Sequence, residues 1–414
     1  MIERTPDERW DFKYTDTKEL THCYHTYPAM MIPQVARRLI GEFAPGTRCE
    51  MLFDPYMGSG TSLVEASVCG IRAIGTDLNP LAQMIARTKT THFDAGLVRA
   101  QWQTLRRRVL EYRRERVCDM NFDRISNASY WYDKEVLLRL AYLSQTIDGE
   151  LAPEVRDFFR LVLAETVRES SYTRNGEFKR YRMDETKIAT FRPDVFGMFD
   201  EKASRNLRGL ESFNESAFRP DIGIYGFNPC VEVPRSIVPR DSVDLVVTSP
   251  PYGDSRTTVA YGQFSRWANE WFGFEHAADL DALLMGGKRQ FEELFAVESV
   301  REELDTIRSL DEKRYCEVIS FLNDYRASIR NVAATVRPGG RVCYVVGNRT
   351  VKGIRIPLDR FTAEAFEQEG FVHEHTFVRG IPNKRMPLRT SPTNKRGEAV
   401  ETMNCEYIVI ATKQ

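Results

Sequence analysis

Two short segments hold the residues whose types and spacing can do chemistry. The first, DPYMGSGT at 54–61, puts Gly58 and Gly60 where a backbone turns sharply and comes close to a ligand at the head of a helix. It lacks the third glycine of a dinucleotide-binding loop, and no Lys-Ser/Thr follows as in a P-loop, so a ligand without a pyrophosphate is favoured. Asp77 follows Gly60 by 17 residues, at the end of the next apolar run. A carboxylate there suits both hydroxyls of an adenosine ribose. Asp54, at the mouth of the loop, suits a cationic group such as the ammonium of a methionine moiety. A lone GxG is an ordinary tight turn; the loop, the distal acid and the strand-helix-strand context together argue for a ligand site.

The second segment is TSPPYGD, 248–254. Two prolines remove two N–H donors and stiffen the turn. The carbonyl of Pro250 is then available to accept a hydrogen bond from a substrate amine, and Ser249 offers a second acceptor. An exocyclic amine on a nucleobase is a poor nucleophile, because its lone pair is delocalised into the ring. Accepting both its hydrogens in a fixed geometry favours the pyramidal form and holds it in line with a sulfonium methyl. Tyr252 can stack on the base. Such a pocket is out of reach of a base inside a duplex, so base flipping is implied.

The elements that must position these residues can be read from the pattern. Residues 32–43 space their apolar groups as a helix, 49–53 read as a strand ending in the glycine loop, and 62–70 as a helix stopped by Gly70. A second strand, 71–77, and a further helix from Asn79 complete one half of a doubly wound α/β fold. From about 91 to 220 the chain turns helical and charged. There Val155, Phe158, Phe159, Val162, Leu163 and Thr166 keep one face, and the stretch is too long for a loop. The α/β pattern resumes near Ile222. SVDLVV at 242–247 is a strand, 318–336 a helix, and RPGG turns it into the strand 341–346. Residues 371–378 and 405–412 close the sheet as a pair of strands joined by a long loop, 380–403.

Charge is balanced at 58 basic against 59 acidic residues, so any contact with nucleic acid has to come from local patches. Residues 379–396 hold six basic groups and no acid, which makes Lys384, Arg385, Arg389, Lys395 and Arg396 candidates for phosphate contacts. Arg256 to Tyr261, just past SPPY, can line the acceptor pocket. The seven arginines of 99–116 fit a solvated helix face as well as phosphate binding. Eight scattered cysteines with no CxxC pair, a charged start and no apolar run of about 18 residues point to a cytoplasmic chain with reduced thiols and no membrane span. His22 and His25 sit three apart without further ligands; they read as polar packing and no metal is expected.

DPYMGSGT, TDLNPLA (76–82) and TSPPYGD resemble the motifs of the DNA amino-methyltransferases, which methylate adenine N6 or cytosine N4. The resemblance is strong over about 22–90 and 222–265, looser over 318–414, and absent for most of 91–220. It implies a Rossmann-like S-adenosylmethionine-dependent methyltransferase sheet with an inserted helical subdomain. The expected units are a donor-binding half (1–90), a helical insertion as candidate target-recognition region (91–220) and a catalytic half (221–414). The stretch THCYHTYPAMMIP, 21–33, looks like the family's extra donor motif and puts Tyr27 and Pro28 by the methionine end. The donor set is then Tyr27, Pro28, Asp54, Pro55, Gly58, Ser59, Gly60, Thr61, Asp77, Leu78 and Asn79, and the catalytic set Ser249, Pro250, Pro251 and Tyr252. In the family S-P-P-Y/F goes mainly with cytosine and D/N-P-P-Y mainly with adenine, so Ser249 favours cytosine N4. The partners implied are DNA and a cognate restriction endonuclease, a stand-alone role being the other possibility. Two alternatives stay open: an adenine-N6 or RNA-base methyltransferase, and a catalytically silent fold that only binds DNA or a partner. One departure is Asn228, which stands where the family often has an acid near the cofactor adenine.

Overall fold

The computed structural model describes residues 3–44, 49–117, 121–254, 258–381, 389–390, 400–401 and 403–414. Its centre is an eight-stranded sheet. In chain order the strands are β1 (Thr5–Pro6), β2 (Met51–Asp54), β3 (Arg72–Thr76), β4 (Ile222–Tyr225), β5 (Val243–Thr248), β6 (Val336–Val346), β7 (Phe371–Gly380) and β8 (Cys405–Lys413). Across the sheet they run β1-β7-β8-β6-β5-β2-β3-β4. The ladders β4-β3-β2-β5-β6 are parallel, and β8 alone runs against its neighbours β6 and β7. The apolar runs of β2, β3 and β5 are buried on both faces, as a covered parallel sheet requires.

The chain passes from β2 outward to β3 and β4, then returns to β5 on the other side of β2. The loops after β2 and β5 therefore leave in opposite directions, and a crevice opens at the carboxyl ends of those two strands. Asp54 ends β2 and Thr248 ends β5. The topology thus brings both motifs to one place.

Helices α1 (Pro33–Phe43), α2 (Thr61–Val68) and α3 (Pro80–Thr90) follow the expected order. The 91–220 stretch is helical, chiefly in α4 (Ala95–Leu110), α5 (Lys134–Glu150), α6 (Arg156–Glu169) and α7 (Val195–Ser216). In α6 the expected face is buried, but so are Leu161, Ala164 and Val167. Glu165 and Arg168 are buried as well, so the helix lies inside a core rather than on its surface. Its neighbours include Tyr24, Leu81, Ile85 and Trp267, so these helices share one core with α3 and with α8 (Tyr261–Trp271).

Two boundaries differ from the sequence pattern. The helix expected from 318 begins at Glu312, because Asp311 caps it by accepting from the Arg314 N–H at 3.1 Å. RPGG does not precede the strand but lies inside β6, whose register against β5 slips between Val243 and Leu245. The extra residues are absorbed as a bulge. Among the described residues no helix is long and apolar enough to cross a membrane.

Candidate active site

The crevice is a cleft of about 930 Å3 counted out to its mouth with the open solvent it holds. β2 delivers Asp54 to its floor, 3% exposed. The Asp54 carboxylate accepts from the Tyr56 N–H at 3.0 Å, from Thr248 Oγ1 at 2.5 Å and from the Ser62 hydroxyl. All three donors are neutral, and burial pushes its pKa up to about 6 against those hydrogen bonds. At the end of β3, Asp77 accepts from the Asn79 N–H at 2.8 Å. Burial raises its pKa to about 6 as well, opposed by the backbone N–H groups of Asn79 and Gly58. Among the described residues neither carboxylate is ion-paired.

The two loop glycines have different reasons to be glycine. Both are left-handed, Gly58 at φ 47° and Gly60 at φ 75°. Gly60 caps α2 away from the cleft, and a Cβ there would stand 2.7 Å from that of Ala86. At Gly58 a Cβ would meet only the Tyr27 ring, at 3.5 Å, so that residue keeps the cleft wall open.

Of the expected donor set, Tyr27, Pro28, Asp54, Pro55, Gly58, Ser59, Thr61, Asp77 and Leu78 line the cleft, and Gly60 and Asn79 do not. Asn79 is wholly buried and works one layer back. Its side chain caps α3 by accepting from the Leu81 N–H (3.2 Å), and its amide donates to the hydroxyls of Tyr27 (3.0 Å) and Ser265 (2.6 Å). Tyr27 is in turn stacked on Tyr261, with ring centroids 5.8 Å apart.

On the acceptor side Ser249 and Pro251 line the same cleft. Pro250 is buried, and the Tyr252 hydroxyl lies 3.1 Å from Ser249 Oγ and 2.9 Å from Glu406 Oε1. Tyr261, the far end of the stretch expected beside the acceptor segment, reaches the cleft from the first turn of α8. Asn228 also lines it, its side-chain oxygen accepting from the Cys230 N–H at 2.9 Å.

Met30, Met31, Leu284 and Met285 line the cleft without having been singled out in the sequence. The last two arrive on a segment pinned by the Gly286 N–H to Asp324 (2.8 Å), and no local motif marks such a tie. Arg256, Lys384, Arg385, Lys395 and Arg396 lie outside the described residues, as does the side chain of Arg389, whose backbone pairs Arg389–Thr390 with Val400–Glu401. The arginines of 99–116 are in part internally neutralised: Arg106 pairs with Asp200 at 2.6 Å, Arg108 with Glu150 at 2.6 Å, and Arg99 with Glu211. His22 faces Glu65 at 2.8 Å and His25 bonds to the Thr26 carbonyl. Among the described residues no cluster of His, Cys, Asp or Glu is placed to hold a metal ion.

No protein-family model matches the chain. It is 38% identical over 431 aligned positions to the type II methyltransferase M.MvaI of Kocuria varians, spanning 96% of this chain and 92% of that protein. The type II methyltransferase M.BsoBI of Geobacillus stearothermophilus is 21% identical over 84% of this chain and 78% of its own. Among solved structures, the rRNA methyltransferase aviRa of Streptomyces viridochromogenes superposes over 94% of this chain and 88% of its own, at 10% identity and a TM-score of only 0.35. The match to M.MvaI spans nearly the whole chain, both motifs included, and the chain belongs to the type II methyltransferases, with the motifs of the S-adenosylmethionine-dependent DNA amino-methyltransferases.

Proposed function

We propose that the protein methylates the exocyclic N4 amine of a flipped-out cytosine in DNA, as the modification arm of a restriction–modification pair. The observation that carries this reading is that Ser249 shares a cleft with Asp54 and Asp77. The amine-accepting segment and the donor-binding acids thus meet across the topological switch point.

The residues present fit S-adenosylmethionine. Two buried carboxylates without a cationic partner among the described residues suit a ligand that carries an ammonium, a sulfonium and a ribose diol, and Gly58 leaves room for its close approach. Bound there, the cofactor supplies an electrophilic methyl group. Asp54 holds the amino-acid end and Asp77 the ribose, while Tyr27 and Pro28 close the wall beside them. Ser249 and the Pro250 carbonyl accept the two hydrogens of the base amine and fix its lone pair toward the donor.

Ser249, in place of Asp or Asn before Pro-Pro-Tyr, supports cytosine over adenine. Lys384, Arg385, Arg389, Lys395, Arg396 and Arg256 supply phosphate contacts in this reading, and the helices of 91–220 supply target recognition. Incubation with labelled donor and duplex DNA, digestion to nucleosides and mass spectrometry test the assignment. N4-methylcytosine is the expected product, and N6-methyladenine would replace the reading with its alternative.

A further inference from the structure

On β8, Glu406 stands directly across from Arg379 of β7, and the two side chains form an ion pair that is nearly buried. Arg379 also donates from Nε to the Trp10 carbonyl at 2.9 Å. A guanidinium can only donate, so Glu406 must accept on the oxygen facing it. Its other oxygen accepts the hydroxyl of Tyr252 at 2.9 Å. The Tyr252 ring is held close against the backbone of Gly347, where a Cβ would fall 2.6 Å from its Cδ2. Burial, and after it the charge of Glu406, pushes the phenol pKa well up, so it keeps its hydrogen at working pH.

A phenol has one hydrogen. With that hydrogen directed to Glu406, the Tyr252 oxygen can meet Ser249 Oγ, 3.1 Å away, only as an acceptor. The serine hydrogen therefore points away from the cleft, and the lone pairs of Oγ are left for whatever enters it. The chain Arg379–Glu406–Tyr252–Ser249 has a single direction.

We propose that Glu406 is a positioning residue for methyl transfer: acting through Tyr252, it sets the polarity of the Ser249 hydroxyl so that the serine accepts a hydrogen of the amine to be methylated. This rests on the reading of Ser249 as an amine acceptor. It adds that the acceptor character of a serine, which can donate as readily as accept, is imposed from a strand remote in sequence.

The test exploits the two ends of an amide. In Glu406→Gln, Arg379 still demands an acceptor, so the amide oxygen turns to it and the NH2 group faces Tyr252. The Tyr252 oxygen must then accept, its hydrogen turns to Ser249, and the serine hydrogen is directed into the cleft against the amine. Tyr252→Phe removes the link and leaves the serine free to rotate. Single-turnover methylation is measured with saturating S-adenosylmethionine and DNA, together with the Kd of each and the melting temperature. Glu406→Gln should slow transfer roughly 100-fold with both Kd values within about twofold, and Tyr252→Phe roughly tenfold. The double variant should return to the Tyr252→Phe rate, because without the phenol the reversed amide has no path to Ser249.

A purely structural role for the ion pair predicts instead a double variant at least as slow as Glu406→Gln, and that result would overturn the proposal. A wild-type rate in Tyr252→Phe would overturn it too, whether or not Glu406→Gln folds. The wild-type product is identified in the same assay. N6-methyladenine there would remove the cytosine assignment, while the order of the variants would still read the polarity of the serine toward an amine.

Discussion

Thr248 Oγ1 donates a 2.5 Å hydrogen bond to Oδ1 of Asp54, joining the last residue of β5 to the last residue of β2. Both groups are buried, and the bond crosses the point where the sheet changes winding direction. Donor loop and acceptor segment are thereby held in one frame. Thr248→Val keeps the shape and removes the donor. It should weaken S-adenosylmethionine binding by about 1–2 kcal/mol, roughly five- to thirtyfold, because Asp54 is then harder to ionise. Isothermal calorimetry on the folded variant reads this, and an unchanged Kd would show that the bond contributes nothing to the site.

The acids give the site a pH dependence. Asp54 and Asp77 are both raised from 3.8 to about 6, with burial the largest cause. The folded protein therefore binds these two protons more tightly than the unfolded chain does. Their ionisation lowers stability as pH rises from 3.8 through about 6. A cationic donor favours the ionised forms, so its affinity should rise over the same window and level off above it. Donor Kd measured from about pH 5 to pH 8 should improve several-fold and then plateau. A flat profile would contradict the placement of the carboxylates at the donor.

Gly58 and Gly60 separate binding from folding. Gly60→Ala drives a methyl against Ala86 at a residue of φ 75° and should cost about 2 kcal/mol or more of stability. Gly58→Ala, with 3.5 Å to Tyr27, should melt closer to wild type yet lose donor affinity, since its side chain enters the cleft wall. Thermal melts and calorimetry on the pair check both halves, and equal melting losses would contradict the division of roles.

These distinctions also mark what the sequence could reveal. Strand, glycine loop, helix and acid are contiguous, and left-handed glycines and apolar runs leave a local signature, so the donor half was legible. So was the meeting of β5 with the donor loop, because short apolar strands followed by such loops end at the carboxyl edge of a parallel sheet. Leu284 and Met285 were not legible, since they reach the cleft by a tie to Asp324 far along the chain. Glu406 sits at the head of a continuous apolar strand and acquires its place from the register with Arg379. Asn79 reads in the sequence as a ligand contact, but it caps its own helix at Leu81 and is further occupied by Tyr27 and by Ser265 and Asn269 of α8, whose position no local pattern reveals.

The basic stretch offers a prediction from charge alone. Lys384→Ala combined with Arg385→Ala should lower the slope of log affinity against log salt by roughly two and weaken all duplexes alike. Discrimination between sequences should survive, because phosphate contacts position a protein without reading bases. An unchanged slope in the folded variant would remove these residues from the interface and leave the helices of 91–220 to supply the contacts.

The most direct test of the shared site is Ser249→Ala, measured for donor affinity and for transfer in one preparation. Ser249 lines the donor cleft, yet its assigned partner is the base amine. Calorimetry should give a donor Kd within about twofold of wild type, and single-turnover transfer to a cognate duplex should fall roughly 10–100-fold. Transfer at the wild-type rate would contradict the account, and so would a loss of donor affinity as large as the loss of rate.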